Sequence, residues 1–168
     1  MANTPSNTIG IERTYPTSAE EVWRLWTTSD GIESWWAPDG FKCDVRKLDL
    51  RPGGELVYTF TATGPDQVEF MKGAGLPLTT EARKTFTEVL SPQRIAYRSL
   101  IDFVPGVDPY QELTVVDLTP SGDSVAVVMT MEPLHDELWT QRLVTGRENE
   151  LDNLAKVIDQ RHVAVKRQ

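Results

Sequence analysis

Residues 81–132 read EARKTFTEVLSPQRIAYRSLIDFVPGVDPYQELTVVDLTPSGDSVAVVMTME, and the architecture follows from them. Four runs rich in β-branched and aromatic residues, about 82–90, 94–103, 110–119 and 124–132, alternate in polarity with a period of two. That period marks a strand with one face buried. Between the runs lie Ser91-Pro92-Gln93, then Pro105-Gly106 with Asp108-Pro109, then Pro120-Ser121-Gly122-Asp123, all turn formers. Successive strands joined by short turns make an antiparallel meander. No helical segment separates them, so a doubly wound parallel sheet is not expected.

Working outward, a hairpin precedes the meander. Residues 41–50 place Phe41, Cys43 and Val45 on one face and Leu48 and Leu50 on the other parity, which predicts a bulge near Lys47. Residues 55–62 set Leu56, Tyr58 and Phe60 on one side, and Pro52-Gly53-Gly54 turns the first strand into the second. Residues 63–80 then form a connection long enough to demand structure or function. Pro65 opens a short helix there and Gly73 ends it. Val68, Phe70, Met71, Leu76 and Leu78 are too apolar for a solvated loop, so this segment is expected to pack back as a lid or portal.

At the N-terminal end, residues 8–15 alternate as a strand that Pro16 stops. Ser18 and Glu21 have capping-box spacing and open a helix whose apolar stripe is Val22, Trp23, Leu25 and Trp26. Asp30-Gly31 is expected to break it before a second short helix over 32–36. Residues 1–7 are small and polar and are expected to be frayed and disordered. At the other end, about 135–161 form one long helix, with Trp139, Leu143, Val144, Leu151, Leu154, Val157 and Ile158 on one broad face. Asp136 and Glu137 fall in its first turn, where the helix dipole favours acids. The order is β-α-α-β6-α: an α+β chain in which a curved antiparallel sheet needs the long helix to cover its apolar face.

Composition narrows the function classes. A chain of 168 residues suits a single domain, taken as 1–168. Lys plus Arg number 17 against 25 Asp plus Glu, a net charge of −8 that repels a phosphate backbone, so nucleic acid is not expected as a partner. One cysteine, Cys43, forms no intrachain disulfide, and it reads as a small core hydrophobe. MANTPSNTIG lacks the basic and apolar regions of a signal peptide, and no stretch approaches the roughly 18 apolar residues of a membrane span. A cytoplasmic protein with no membrane association is the expectation.

Four segments, SAEEVWRLWTTSDGIESWW with its following Ala-Pro, DLRPGGELVYTF, FTEVLSPQRIAYR and LDNLAKVI, occur in an order that resembles the START-like helix-grip superfamily. Within it the chain is most similar to homologues of the activator of heat-shock protein 90 ATPase, a branch of the SRPBCC group. The likeness runs from residue 9 to about 160. It implies a sheet wrapped around the C-terminal helix with an interior cavity between them. Small-molecule binders, cyclases and co-chaperone domains share that plan, so fold alone does not choose a function. Relatives often carry Gly-Trp in the last helix, whereas here Gly146 is followed by Arg147.

Several constellations are candidates for chemistry. Arg147 lies near the middle of the helix's apolar face, with Glu150 one turn on. They read either as a structural ion pair or as an anchor for an acidic ligand. Trp35, Trp36, Tyr58, Phe60, Phe86 and Tyr97 suit either plain core or the wall of an apolar cavity, with Phe70 and Met71 contributing from the lid. Glu88, Ser99, Glu112 and Thr114 share strand parity with inward aromatics, which would aim Glu88 and Glu112 at the cavity as general acids or bases. His135-Asp136 is not expected to form a dyad, because neighbours on a helix do not face one another. His135 and His162 lie too far apart to make a zinc site, so no metal or other cofactor is expected.

Three functions remain open. The first is non-enzymatic binding of a hydrophobic or amphipathic small molecule. The second is a cyclase- or hydratase-like enzyme using Glu88 or Glu112 with Tyr97. The third is a co-chaperone-like domain, which would show an exposed apolar patch to a chaperone partner. A homodimer is compatible with any of them.

Overall fold

The computed structural model describes the backbone of residues 7–166 and side chains through Arg161. The expected fraying of residues 1–6 and the side chain of His162 lie outside the described residues. In chain order the elements are β1 (Ile9–Tyr15), α1 (Ala19–Thr27), α2 (Ser29–Trp35), β2 (Phe41–Leu48), β3 (Glu55–Ala62), α3 (Pro65–Gly73), β4 (Thr79–Leu90), β5 (Arg94–Ile101), β6 (Tyr110–Ser121), β7 (Ser124–Met131) and α4 (Glu137–Lys166). The strands form one antiparallel sheet in the order β1-β7-β6-β5-β4-β3-β2. The β-α-α-β6-α order expected from turns and periodicities is present, with one further short helix at α3, and it forms the helix-grip plan that the family resemblance implied, with α4 lying across the curved face.

Two bulges shape that sheet. The ladder between β2 and β3 slips between Val45 and Lys47, as the change of parity predicted. A second slip, between Phe86 and Glu88 on β4, was not anticipated. It leaves Lys84 and Phe86 pointing inward, at 3% and 2% exposed, and turns Glu88 outward, where it accepts a hydrogen bond from Arg94 Nε at 2.9 Å. Glu88 is therefore not a cavity carboxylate: one extra residue in a strand flips every side chain after it.

The α1–α2 boundary also differs from expectation. The break falls at Thr28, whose backbone is extended and whose hydroxyl accepts from Gly31 N at 3.1 Å. Asp30 and Gly31 lie inside α2. Gly31 permits close helix contact, since a Cβ there would sit 2.6 Å from the Arg24 carbonyl oxygen. At the start of α1, Ser18 Oγ accepts from Glu21 N at 3.1 Å, but the Glu21 carboxylate turns to Arg24 and Arg161, so the capping box is half made.

Helix α4 has two unlike halves. Its C-terminal half buries Leu151, Leu154 and Ile158 completely. Two long-range hydrogen bonds hold it, from Tyr15 Oη to the Leu151 carbonyl at 2.8 Å and from Asn153 Nδ2 to the Ala37 carbonyl at 3.2 Å. In the N-terminal half, capped by Asp136 Oδ1 accepting from Trp139 N at 2.8 Å, Trp139 and Leu143 are only half-buried. They were expected to seal against the sheet; instead this half stands off it, and the clefts described below open there. Among the described residues no helix is long and apolar enough to cross a membrane.

Candidate functional site

The site begins with strand register. Leu56, Lys84, Ser99 and Glu112 are successive partners across β3, β4, β5 and β6, and Phe86, Tyr97 and Thr114 form the next row. Alternation aims both rows at the concave face. A lysine, a serine, a glutamate and a threonine, each at most 6% exposed, thus occupy an interior otherwise built of aromatics and aliphatics. Arg147 enters from α4 on the opposite side and is also buried.

Lys84 Nζ donates to Ser99 Oγ at 2.7 Å and lies 4.9 Å from the Tyr97 ring centre, 5.6 Å from Trp36 and 5.8 Å from Tyr58. Trp36 and Tyr58 pack edge to face, 5.2 Å apart at 88°, and Trp36 and Tyr97 lie tilted at 45°, 6.5 Å apart. Arg147 Nη1 donates to both carboxylate oxygens of Glu150, at 3.0 and 3.3 Å, and Nη2 stands 3.9 Å from Glu112 Oε2. Thr114 Oγ1 donates to Glu112 at 2.8 Å. Of the four buried side-chain polar atoms without a partner among the described residues, Arg147 Nε and Trp36 Nε1 belong to this cluster; the others are Trp26 Nε1 and Thr59 Oγ1.

The electrostatics follow from this enclosure. Burial first, and then the neighbouring Arg147 charge, push the Lys84 ammonium down to about 7, against the pull of Glu150 and Glu112. Burial raises the Glu112 carboxyl above the ordinary carboxylate range although Arg147, Thr114 and Lys84 favour its anion. Burial opposes the Arg147 charge, but Glu150, Tyr97 and Glu112 outweigh it and hold the guanidinium protonated. Tyr58 and Tyr97 are raised by burial well beyond their usual range, so neither is a general base near neutral pH.

Two clefts reach this cluster. One, of about 380 Å³, is lined by Tyr58, Phe60, Lys84, Ile101, Leu143 and Arg147 among others. The second, of about 560 Å³, runs past Trp36, Pro38, Phe60, Leu138 and Arg142. Both touch Phe60 and Glu150, which stand where the two adjoin.

The structure therefore brings together Trp36, Tyr58, Phe60, Tyr97, Glu112, Arg147 and Glu150. Others fall elsewhere. Trp35 is core, donating its indole N–H to the Leu25 carbonyl at 2.8 Å. Phe86 is core behind the cluster. Phe70 is 69% exposed, Met71 is buried, and neither lines either cleft. Cys43 is buried and its thiol is pushed up to about 12, chiefly by burial, so it is unreactive at neutral pH. His135 and Asp136 do meet, Nε2 to Oδ2 at 3.5 Å, because both precede α4 rather than sit on it; they lie away from the clefts, with Tyr110 Oη 2.7 Å from His135 Nδ1. Lys84 was missed by sequence reasoning, though its parity with Phe86 placed it inside.

Comparison with known proteins agrees with this geometry. The sequence signature of the family described as activator of Hsp90 ATPase homolog 1-like protein matches residues 16–159. No curated protein matches the chain in sequence. Among solved structures, the AHSA1-like protein from Aeromonas hydrophila superposes with a TM-score of 0.73 at 20% identity, over 93% of this chain and 94% of that one. A protein from Chromobacterium violaceum gives 0.70 at 22% identity, over 90% and 96%. The AHSA1 protein from Silicibacter pomeroyi gives 0.71 at 16% identity, over 93% and 100%. At these identities the likeness speaks for the fold, and the family signature, spanning nearly the whole chain, supplies the rest: the chain belongs to the activator of Hsp90 ATPase homolog 1-like family of helix-grip proteins.

Proposed function

We propose that the chain binds a small amphipathic acid in the cleft between β3–β5 and the N-terminal half of α4. The observation that carries this reading is a buried cation, Arg147, lining one cleft together with the buried amine of Lys84, with Arg147 Nε left without a partner among the described residues. Buried charge is costly unless compensated, and an unsatisfied guanidinium N–H is compensated by a ligand carboxylate. Phe60, Ile101 and Leu143 offer apolar wall to the rest of such a molecule. Glu150 neutralises Arg147 in the free protein and is displaced or shared when the ligand's carboxylate arrives.

The enzymatic reading using Glu88 or Glu112 with Tyr97 loses Glu88 to solvent, Tyr97 is too reluctant to ionise to serve as a base, and Glu112, though buried with a raised carboxyl, lines neither cleft. The co-chaperone reading needs an exposed apolar patch. Phe103 and Leu138, 59% and 58% exposed, each line a cleft, so the cleft reading accounts for them without a partner protein, whereas Phe70, at 69% the most exposed large apolar side chain among the described residues, lines neither cleft and is what a partner protein would use.

Calorimetric titration with octanoate and with 1-octanol tests the proposal. Octanoate is expected to bind and octanol to bind more weakly. Arg147→Met should weaken octanoate by about 2–5 kcal/mol, as for a desolvated charge pair, and spare octanol. Equal binding of octanoate by the wild type and the methionine variant would refute the reading.

A further inference from the structure

We propose that Lys84 is a covalent anchor, its amine condensing with the carbonyl of a short oxo acid whose carboxylate is held by Arg147. This rests on the anion-binding reading above and narrows its ligand class. Three observations carry it. Lys84 is buried yet is among the residues lining the 380 Å³ cleft, as is Ser99, the acceptor of its Nζ hydrogen bond. Its surroundings are three aromatic faces and one hydroxyl, and among the described residues no carboxylate stands within ion-pair distance. Arg147 lines the same cleft with a spare donor.

A buried lysine kept for structure is paired with an acid. A lysine kept as a nucleophile is desolvated beside another cation, which favours the free amine. Lys84 fits the second description: Trp36 just after α2, Tyr58 on β3, Tyr97 and Ser99 on β5 enclose it and Arg147 on α4 adds a like charge, and together these outweigh the opposing pull of Glu112 on β6 and Glu150 on α4. Its lowered proton affinity agrees with that placement.

The chemistry is balanced without a further reagent. The nitrogen lone pair attacks the carbonyl carbon, and the π pair moves to oxygen. The nitrogen gives up a proton, the oxygen gains one, and the carbinolamine forms. A second proton taken by the hydroxyl lets it depart as water while the nitrogen lone pair closes the C=N bond, and the resulting iminium gives its remaining N–H proton to solvent. The sum is amine plus ketone giving imine plus water, with protons exchanged with solvent through the cleft.

The test is reductive trapping of the full chain at neutral pH with sodium pyruvate and cyanoborohydride, followed by peptide mapping. One adduct per chain is expected, at Lys84, formed at least about tenfold faster than at any other lysine. Lys84→Arg keeps a cation among the rings and should abolish the adduct. Arg147→Met should slow trapping of pyruvate more than trapping of acetone. Should the arginine variant not fold, the wild-type pH profile decides. Labelling of Lys84 should rise around pH 7, as its lowered proton affinity requires, while other lysines still gain above about pH 9. Label spread over surface lysines, or a Lys84 profile that follows theirs, overturns the proposal. Thermal melting with propionate then separates the two readings. Stabilisation by propionate and pyruvate without an adduct removes the imine and leaves the anion site; stabilisation by neither removes both.

Discussion

At the scale of the residue, Lys84 sets stability against chemistry. Folding takes its side chain from water into a ring of aromatics, with Ser99 as its hydrogen-bond partner. In the unfolded chain a lysine titrates at about 10.4; in the folded one Lys84 is pushed down to about 7. Between those values the unfolded state holds more protons, so the destabilising effect is full below the folded value and fades as pH rises toward the unfolded one. Lys84→Met is therefore expected to stabilise the fold by about 1–4 kcal/mol near pH 6, with the gain shrinking toward pH 10. Denaturant melts at both pH values check this; a variant less stable than wild type at the lower pH would mean that the aromatic faces hold the cation better than water does. Glu150 supplies a second prediction. It occupies Arg147 Nη1 with both oxygens, so it competes with any ligand carboxylate. Glu150→Gln should tighten octanoate roughly tenfold, and unchanged affinity in calorimetry would place the ligand elsewhere. The sequence made these residues legible unequally. Arg147 stood out because an arginine in the middle of an apolar helix face demands a reason. Lys84 shared Phe86's parity, yet its residue type suggested surface. Glu88 was misplaced because nothing in the letters around Phe86 announces a bulge.

At the scale of the element, α4 divides its work along its length. The C-terminal half is core: Leu154 is fully enclosed beside Leu151 and Ile158. Leu154→Ala should cost about 2–5 kcal/mol, the range for a buried leucine that leaves a cavity. Leu143→Ala, at a half-buried position lining the smaller cleft, should cost less and alter ligand affinity instead. Comparing the two denaturation midpoints checks the division, and equal losses would contradict it. Helix α3 invites a similar distinction. Its Pro65 start and Gly73 end were legible from helix-terminus chemistry, but apolar content alone misled about packing, since only Met71 is buried while Phe70 faces water. Its residues do not line either cleft, so hydrogen exchange on adding octanoate is expected to slow in β4, β5 and the first half of α4 and to stay unchanged over 65–73. Protection appearing mainly in α3 would restore it as a lid. Turn residues made the order of elements readable because Pro and Gly act through local backbone geometry. The Thr28 break was hidden because Gly31, which looks like a stop, instead lets α1 and α2 touch.

At the scale of the whole molecule, the proposed site and the chain's overall charge oppose each other. The net charge is −8, so at long range the molecule repels a carboxylate. The attraction of Lys84 and Arg147 acts only inside, where salt screens it little. The smaller cleft offers no compensating steering, because Arg83 in its lining is paired with Glu55 at 2.9 Å and Glu81 at 3.8 Å, and Asp102 adds a further carboxylate to the lining. Screening lengths shrink from about 30 Å at 0.01 M salt to about 8 Å at 0.15 M, which removes the distant repulsion first. The association rate of octanoate should therefore rise severalfold over that range while its dissociation rate changes little. Trp36 beside the clefts provides the fluorescence signal for stopped-flow measurement. Chloride competes with the ligand for Arg147, so the salt series is run in parallel with a bulky, weakly binding anion such as gluconate. An association rate that falls with gluconate would show that the mouth attracts anions from a distance, and that the local field near Arg83 and Arg142, rather than the total charge, governs entry.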